Sequence, residues 1–374
     1  MTIMDEFHEM VSSPHEFARN WKTETGGKVL GYMCSNVPEE LIYSTGVLPI
    51  RLLGSNEPED VTKPYIFQAG YCSFARDCFA QALQGRYDYI DGITYSACCP
   101  HIAEVYYDWQ RYVPVSFSYQ LHLPTNLQGK HTKKYLTGEL EDFKRSLEEW
   151  VGKGIHLDRF DNAVEIYNRN RHLMADIYEL LKDVKQKITA AEAAEIAISG
   201  MLIDKEKHNQ MLEQAIKEIR AREGSVNSGP RIMLLGSVNN NIEVISFIES
   251  LGAHVVVDDY CTGRRYYQTD VNFELNRIAA LASRLMARPP CPLKDLPERR
   301  RPVYYADIID NFRVEGAIYT FQRLCDPHGL DYPVIEKTFA EKGVPMLKLE
   351  LDYNVPVGQL RTRTEAFLEM LQSS

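Results

Sequence analysis

KVLGYMCSNVPEELIYSTG (residues 28–46) contains the local pattern on which the fold reading rests. The apolar run ending at Met33 reads as a buried parallel strand. Cys34 stands at its end, and a helix start follows. Pro38 takes a plausible first helical position, Glu39 and Glu40 fill the first turn, and Gly46 lies just past the end. The pattern recurs in YIDGITYSACCPHI (89–102), with Cys98 and Cys99 ahead of Pro100. It recurs again in EGAIYTFQRLCDPHGLDYP (315–333), with Cys325 ahead of Pro327. In an open α/β sheet, ligands bind beyond the carboxyl ends of the strands. Thiols carried there from three strand–helix turns could converge on one soft metal centre, with helix N-termini adding partial positive charge. Three thiolates suit an iron–sulfur cubane with one iron left open.

Outward from these turns, GVLPIRLL (46–53) and VPVSFSY (113–119) read as further strands. YCSFARDCFAQALQGRYD (71–88) reads as a helix closed by Gly85. Residues 1–130 are expected to form an N-terminal α/β lobe. Residues 131–226 are highly charged and helical, with apolar residues recurring at three and four, as at Ile166, Leu173, Ile177 and Leu181. They are expected to form a helical arm. GSVNSGP (224–230) is a turn-rich hinge. Residues 227–374 return to alternation: strands in RIMLLGSV, AHVVVDD, EGAIYTF and VPMLKLELD, and helices in NNNIEVISFIESLG, YPVIEKTFAEKG and RTRTEAFLEMLQ. Such spacing predicts a second lobe with a parallel sheet, so the fold class is α/β.

The 374 residues carry 42 basic and 52 acidic side chains, a formal charge of −10, which disfavours nucleic acid as a partner. The start, MTIMDEFHEM, lacks an apolar signal core, and no stretch approaches a membrane span. A cytoplasmic protein is expected, in which the eight cysteines are reduced thiols or metal ligands. There is no C-x-x-C pair. LLGSVNNN is not a dinucleotide-binding G-x-G-x-x-G, and neither a P-loop nor a G-x-S-x-G occurs.

At the cysteines the sequence becomes specific. GYMCSNVPEELIYSTGVLPIRLLG, DGITYSACCPHIAEVYYDW and the segment from Glu315 to Leu371 resemble, in order, the 2-hydroxyacyl-CoA dehydratase D-component and benzoyl-CoA reductase family. The length and VVVDDYCTGRRYY (255–267) look most like the smaller of the two cluster-bearing subunits in its ATP-dependent benzoyl-CoA reductase branch. The resemblance implies two Rossmann-like or flavodoxin-like lobes and an iron–sulfur cluster on three cysteines per subunit. These correspond to Cys34, Cys98 and Cys325, with Cys99 an alternative to Cys98. It also implies a paralogous cluster-bearing partner, a separate ATPase as electron donor, and an acyl-CoA substrate. The expected activity is two-electron reduction of benzoyl-CoA. Dehydration of a 2-hydroxyacyl-CoA, a double-cubane reductase and a non-catalytic cluster-holding scaffold are its rivals.

Other residues carry weaker expectations. Cys72, at a helix start, and Cys261, after a strand, could approach the site. Cys78 reads as core, and Cys291, in RPPCPLKD, as an unassigned loop residue. Glu39 and Glu40 read as helix-dipole partners ahead of a proton-relay role. His101 has a suitable unperturbed pKa for a proton donor, but a lone first-turn histidine is usually structural. Arg264, Arg265, Arg361 and Arg363 are candidates for CoA phosphates if they border the cleft.

Overall fold

Short apolar runs without helical periodicity become buried strands here. The computed structural model describes residues 2–55, 61–67, 70–97, 99–352 and 357–373. Its strands are β1 Val29–Met33, β2 Leu48–Arg51, β3 Gly92–Ser96, β4 Phe117–Leu121, β5 Lys185–Gln186, β6 Ser225–Val226, β7 Arg231–Gly236, β8 His254–Asp259, β9 Gly316–Gln322 and β10 Met346–Leu351. Every residue of β1, β3 and β8 is buried, as a parallel strand covered by helices on both faces requires.

Two four-stranded sheets form, in the orders β2-β1-β3-β4 and β10-β9-β7-β8, and every pairing within them is parallel. Counted from each lobe's own first strand, both orders are 2-1-3-4. The chain leaves β1 to one side for β2, then crosses to the other side for β3. It does the same around β7. The gaps between β1 and β3, and between β7 and β9, are therefore topological switch points. The expected pair of parallel-sheet lobes is the architecture found.

The helices of residues 131–226 pack against both sheets. Leu136, Leu140 and Phe143 of the helix Thr132–Val151 share a core with Leu30 and Tyr32 of β1. Ile177 and Leu212, from the helices Leu157–Leu181 and Lys205–Ala221, share another with Ile232, Leu234 and Val255 of β7 and β8. Asn240 Nδ2 donates to the Gly54 carbonyl at 2.6 Å, and Ser73 Oγ donates to Gln322 Oε1 at 2.9 Å. The carboxyl ends of the two sheets thus face each other. Among the described residues, no helix is long and apolar enough to cross a membrane.

Some boundaries differ from expectation. Pro38 is the N-cap of the helix Glu39–Ser44 and not its first residue. The helix start expected after Cys325 is found at Asp326, and that helix runs on through the segment from Tyr332 with Pro333 within it. Pro327 fits the first turn because a missing N–H costs nothing there. Helices Ile3–Ser12, Glu16–Thr25, Arg277–Ala287 and Arg301–Phe312 had no sequence expectation.

Candidate thiol centre between the sheets

Cys34 follows β1 with φ +83°, in the left-handed region that a side chain rarely adopts. Leu324, just before Cys325, has φ +64°. Both cysteine turns therefore hold strained backbone at the switch points, where strain clusters at functional sites. Cys72, Cys99, Cys291 and Cys325 all occupy N-cap positions, of Ser73–Leu83, Pro100–Tyr112, the 3-10 turn Pro292–Lys294 and Asp326–Glu341. Helix starts offer a thiolate partial positive charge and unpaired N–H groups. The Ile102 N–H approaches Cys99 Sγ at 3.5 Å in this way. Cys98 lies outside the described residues. The Lys294 ammonium donates to the Ala97 and Leu123 carbonyls, each at 2.8 Å, tying the Cys291 turn to the end of β3.

The thiols of both lobes act on one another. Burial pushes the Cys325 thiol well above its usual range, and the sulfurs of Cys72, Cys261 and Cys291 push it further. Burial raises Cys291 to about 11, with Cys261 and Cys34 adding to the shift. Burial likewise raises Cys72 to about 11. Cys291, which the sequence left without a role, belongs to this group. So do Cys72 and Cys261. Cys78 is fully buried in the N-terminal core, as expected of it.

A thiol held protonated by burial is a poor nucleophile. A soft metal deprotonates it outright. No group of three His, Cys, Asp or Glu side chains among the described residues is spaced for one metal ion. Thiolates of a polynuclear cluster each bind a different iron, so they stand farther apart than the ligands of a single ion. The donor set fits such a cluster.

The surrounding charges are buried and connected. Arg265, 3% exposed, donates from Nη2 to the Gly236 carbonyl at 2.9 Å and approaches Cys261 Sγ at 3.5 Å. It therefore cannot reach a CoA phosphate in solvent, contrary to its sequence reading. Arg264 donates to Tyr304 at 3.3 Å, and Arg363 to the Lys348 carbonyl at 2.7 Å. Arg361 stacks over Phe247 at 5.2 Å. Glu39 and Glu40 stand in the first helical turn, as expected of dipole partners, and are buried there. Glu39 accepts from Tyr266, and Glu40 pairs with Arg171. Although burial pushes Glu40 up, the Arg171 and Arg284 guanidiniums hold its carboxyl at about 2. His101 accepts the Cys72 N–H on Nδ1 at 3.0 Å, and its Nε2 lies 3.6 Å from Asp326. It braces two of the cysteine turns. The sequence carried no signal for these contacts, since they join segments far apart in the chain.

Two clefts open between the lobes. One, of about 320 Å³, is bordered by Ser73, Gln322 and Asn240, beside the Cys72 and Cys325 turns. The other, of about 910 Å³, is bordered by His15, Gln81, Glu195 and Ser246. Phe247, over which Arg361 stacks, forms part of both walls.

Comparison with known proteins gives this arrangement a context. Residues 34–371 match the family model described as 2-hydroxyglutaryl-CoA dehydratase, D-component. The (R)-phenyllactyl-CoA dehydratase beta subunit of Clostridium sporogenes is 27% identical, covering 99% of this chain and 98% of that one. A benzoyl-CoA reductase subunit of Thauera aromatica is 26% identical, covering 90% and 89%. The beta subunit of lactoyl-CoA dehydratase from Anaerotignum propionicum is 25% identical, covering 99% and 98%.

Proposed function

From the premise that this chain belongs to the 2-hydroxyglutaryl-CoA dehydratase D-component family, we propose that it is the iron–sulfur subunit of an ATP-dependent reductase acting on benzoyl-CoA. What supports the cluster is that Cys34 and Cys325 follow the two switch-point strands, and that sulfurs of both lobes raise one another's pKa values. Cys34, Cys98 and Cys325 are the proposed ligands. When bound, the cluster supplies electrons at potentials reaching roughly −700 mV. The protein's own part is to hold the thiolates, exclude water and orient the thioester. Two electrons and two protons added to the aromatic ring give a cyclic dienoyl-CoA. A paralogous subunit and a separate ATPase are the proposed partners. Overall identity to dehydratase and reductase relatives is about equal, so the choice of branch rests on the local resemblance of DDYCTGRRYY (258–267) and RLCDPHGLDYP (323–333) to the reductase branch.

A second reading rests on the wider thiol set. Cys72, Cys261 and Cys291 lie in the same group as Cys34 and Cys325, which gives enough sulfur for a fused pair of cubanes. Anaerobic purification with iron and sulfide counts separates the two: about four irons per chain for one cubane, about eight for the pair. Cys34→Ser and Cys325→Ser are expected to lose iron in either case, Cys78→Ser in neither. Cys291→Ser loses iron only with the pair. With partner, ATPase, ATP and reductant, the complex is expected to consume benzoyl-CoA with ATP use in proportion to product. Turnover of a 2-hydroxyacyl-CoA alone, with only catalytic ATP, would move the protein to the dehydratase branch.

A further inference from the structure

Arg288 follows the helix Arg277–Ala287 and is 4% exposed. Its Nη1 donates to the Ser35 carbonyl and, at 3.2 Å, to Asn36 Oδ1, so it grips the turn that carries Cys34. Its Nη2 reaches the Arg265 carbonyl at 3.5 Å. Its Nε has no acceptor, and neither do Nε and Nη1 of Arg265. The carboxylates nearby are committed elsewhere. Arg171 and Arg284 share Glu40, and Asp259, 3.5 Å from Arg265, also accepts from Tyr304 and Tyr305. Among the described residues, Arg288 has no carboxylate within 4 Å. A guanidinium does not shed its proton, and a buried charge without a counter-charge costs several kcal/mol. Burial works against the Arg288 charge, and Cys34 is the neighbour that does most to restore it. Cys261 and Cys291 act likewise on Arg265, after Asp259.

We propose that Arg288 at Cys34, seconded by Arg265 at Cys261, is the buried counter-cation of the thiolate-bound group and sets its reduction potential. The inference rests on the iron–sulfur reading above. Reduction adds negative charge, and a fixed cation in a low-dielectric site favours the reduced state. The unspent N–H groups are donors of the kind that bond cluster sulfur. Arg288 and Arg265 are positioning residues: they act on the group and touch no substrate.

The test is an EPR-monitored redox titration of anaerobically purified wild type, Arg288→Gln and Arg288→Lys, with iron content and a melting curve for each. In Arg288→Gln, the reduced state is expected to lose about tenfold of its preference, a fall of about 59 mV for one electron. Arg288→Lys is expected to recover most of it, because it keeps the charge. A folded, iron-replete Arg288→Gln with the wild-type potential would overturn the inference alone. If Arg288→Gln loses its iron, the Lys variant decides. Iron restored by Lys supports a role for charge, and equal loss in both shows a brace and overturns it. A wild type without iron would bring down the cluster reading and this inference with it.

Discussion

Cys34 keeps a left-handed backbone that costs a side-chain-bearing residue of order 1–3 kcal/mol. Glycine adopts it freely. Iron-free Cys34→Gly is therefore expected to be more stable than Cys34→Ala by about 1 kcal/mol, the reverse of the usual order. Chemical denaturation of the two variants checks this, and a more stable alanine variant would show a relaxed turn. His208 illustrates the cost of burial. Its Nε2 lies 2.9 Å from the Ile196 carbonyl, which only accepts, and its Nδ1 lies 2.8 Å from the Asn170 amide, which donates. The ring is therefore neutral. Burial, aided by the Lys205 charge, depresses its pKa to about 3, and burial depresses His15 to about 4, both from 6.5. The unfolded chain takes up these protons more readily. Their contribution to stability is complete above pH 6.5 and falls as pH drops toward 3 or 4. Melting temperature is expected to fall between about pH 7 and pH 5, and less steeply in His15→Gln. A slope unchanged by that substitution would assign the effect elsewhere. Glu40, depressed from 4.5 to about 2, adds stability that is present above pH 4.5 and lost as pH falls through about 2. Glu40→Gln leaves Arg171 and Arg284 without their shared counter-charge, and a loss of about 3–5 kcal/mol is expected in denaturant titration.

Gly236 ends β7 at the second switch point with φ +135°, and a Cβ there would stand 1.8 Å from the Thr320 carbonyl oxygen. Backbone of the neighbouring strand cannot step aside cheaply. Gly236→Ala is expected to cost more than about 2 kcal/mol and to lower the melting temperature, while Gly138→Ala, in open space on a helix, does neither. The elements bearing these turns were the most legible part of the sequence. The apolar runs at β1, β3 and β9 and the prolines after them marked strand, turn and helix directly. The Cys291 turn was not legible. It is a three-residue 3-10 piece with no periodicity, joined to the site through Lys294 and the other sulfurs. The burial of Arg265 and Arg288 was not legible either, because it is decided by Gly236, Ser35 and Asn36, distant in sequence. Composition indicates that a chain has buried charges to place but not which ones.

The two sheets share one strand order, and sulfurs from both lobes act on the Cys325 thiol. Leu324 and Leu330, near Cys325 in the chain, are 42% and 79% exposed. In the paired complex, Leu330→Glu is expected to weaken association without changing iron content, and size-exclusion of the co-purified proteins checks it. Undiminished pairing would place the partner on another face. The proposed cluster, ligated from both halves, would also be a fastener. Its occupancy and the angle between the halves would be one coupled variable: loading iron would close the jaw, and prying the jaw open would loosen iron. Removing iron by chelation is expected to enlarge the radius of gyration in solution scattering. A partner that grips both halves at once would slow that loss without touching a single sulfur.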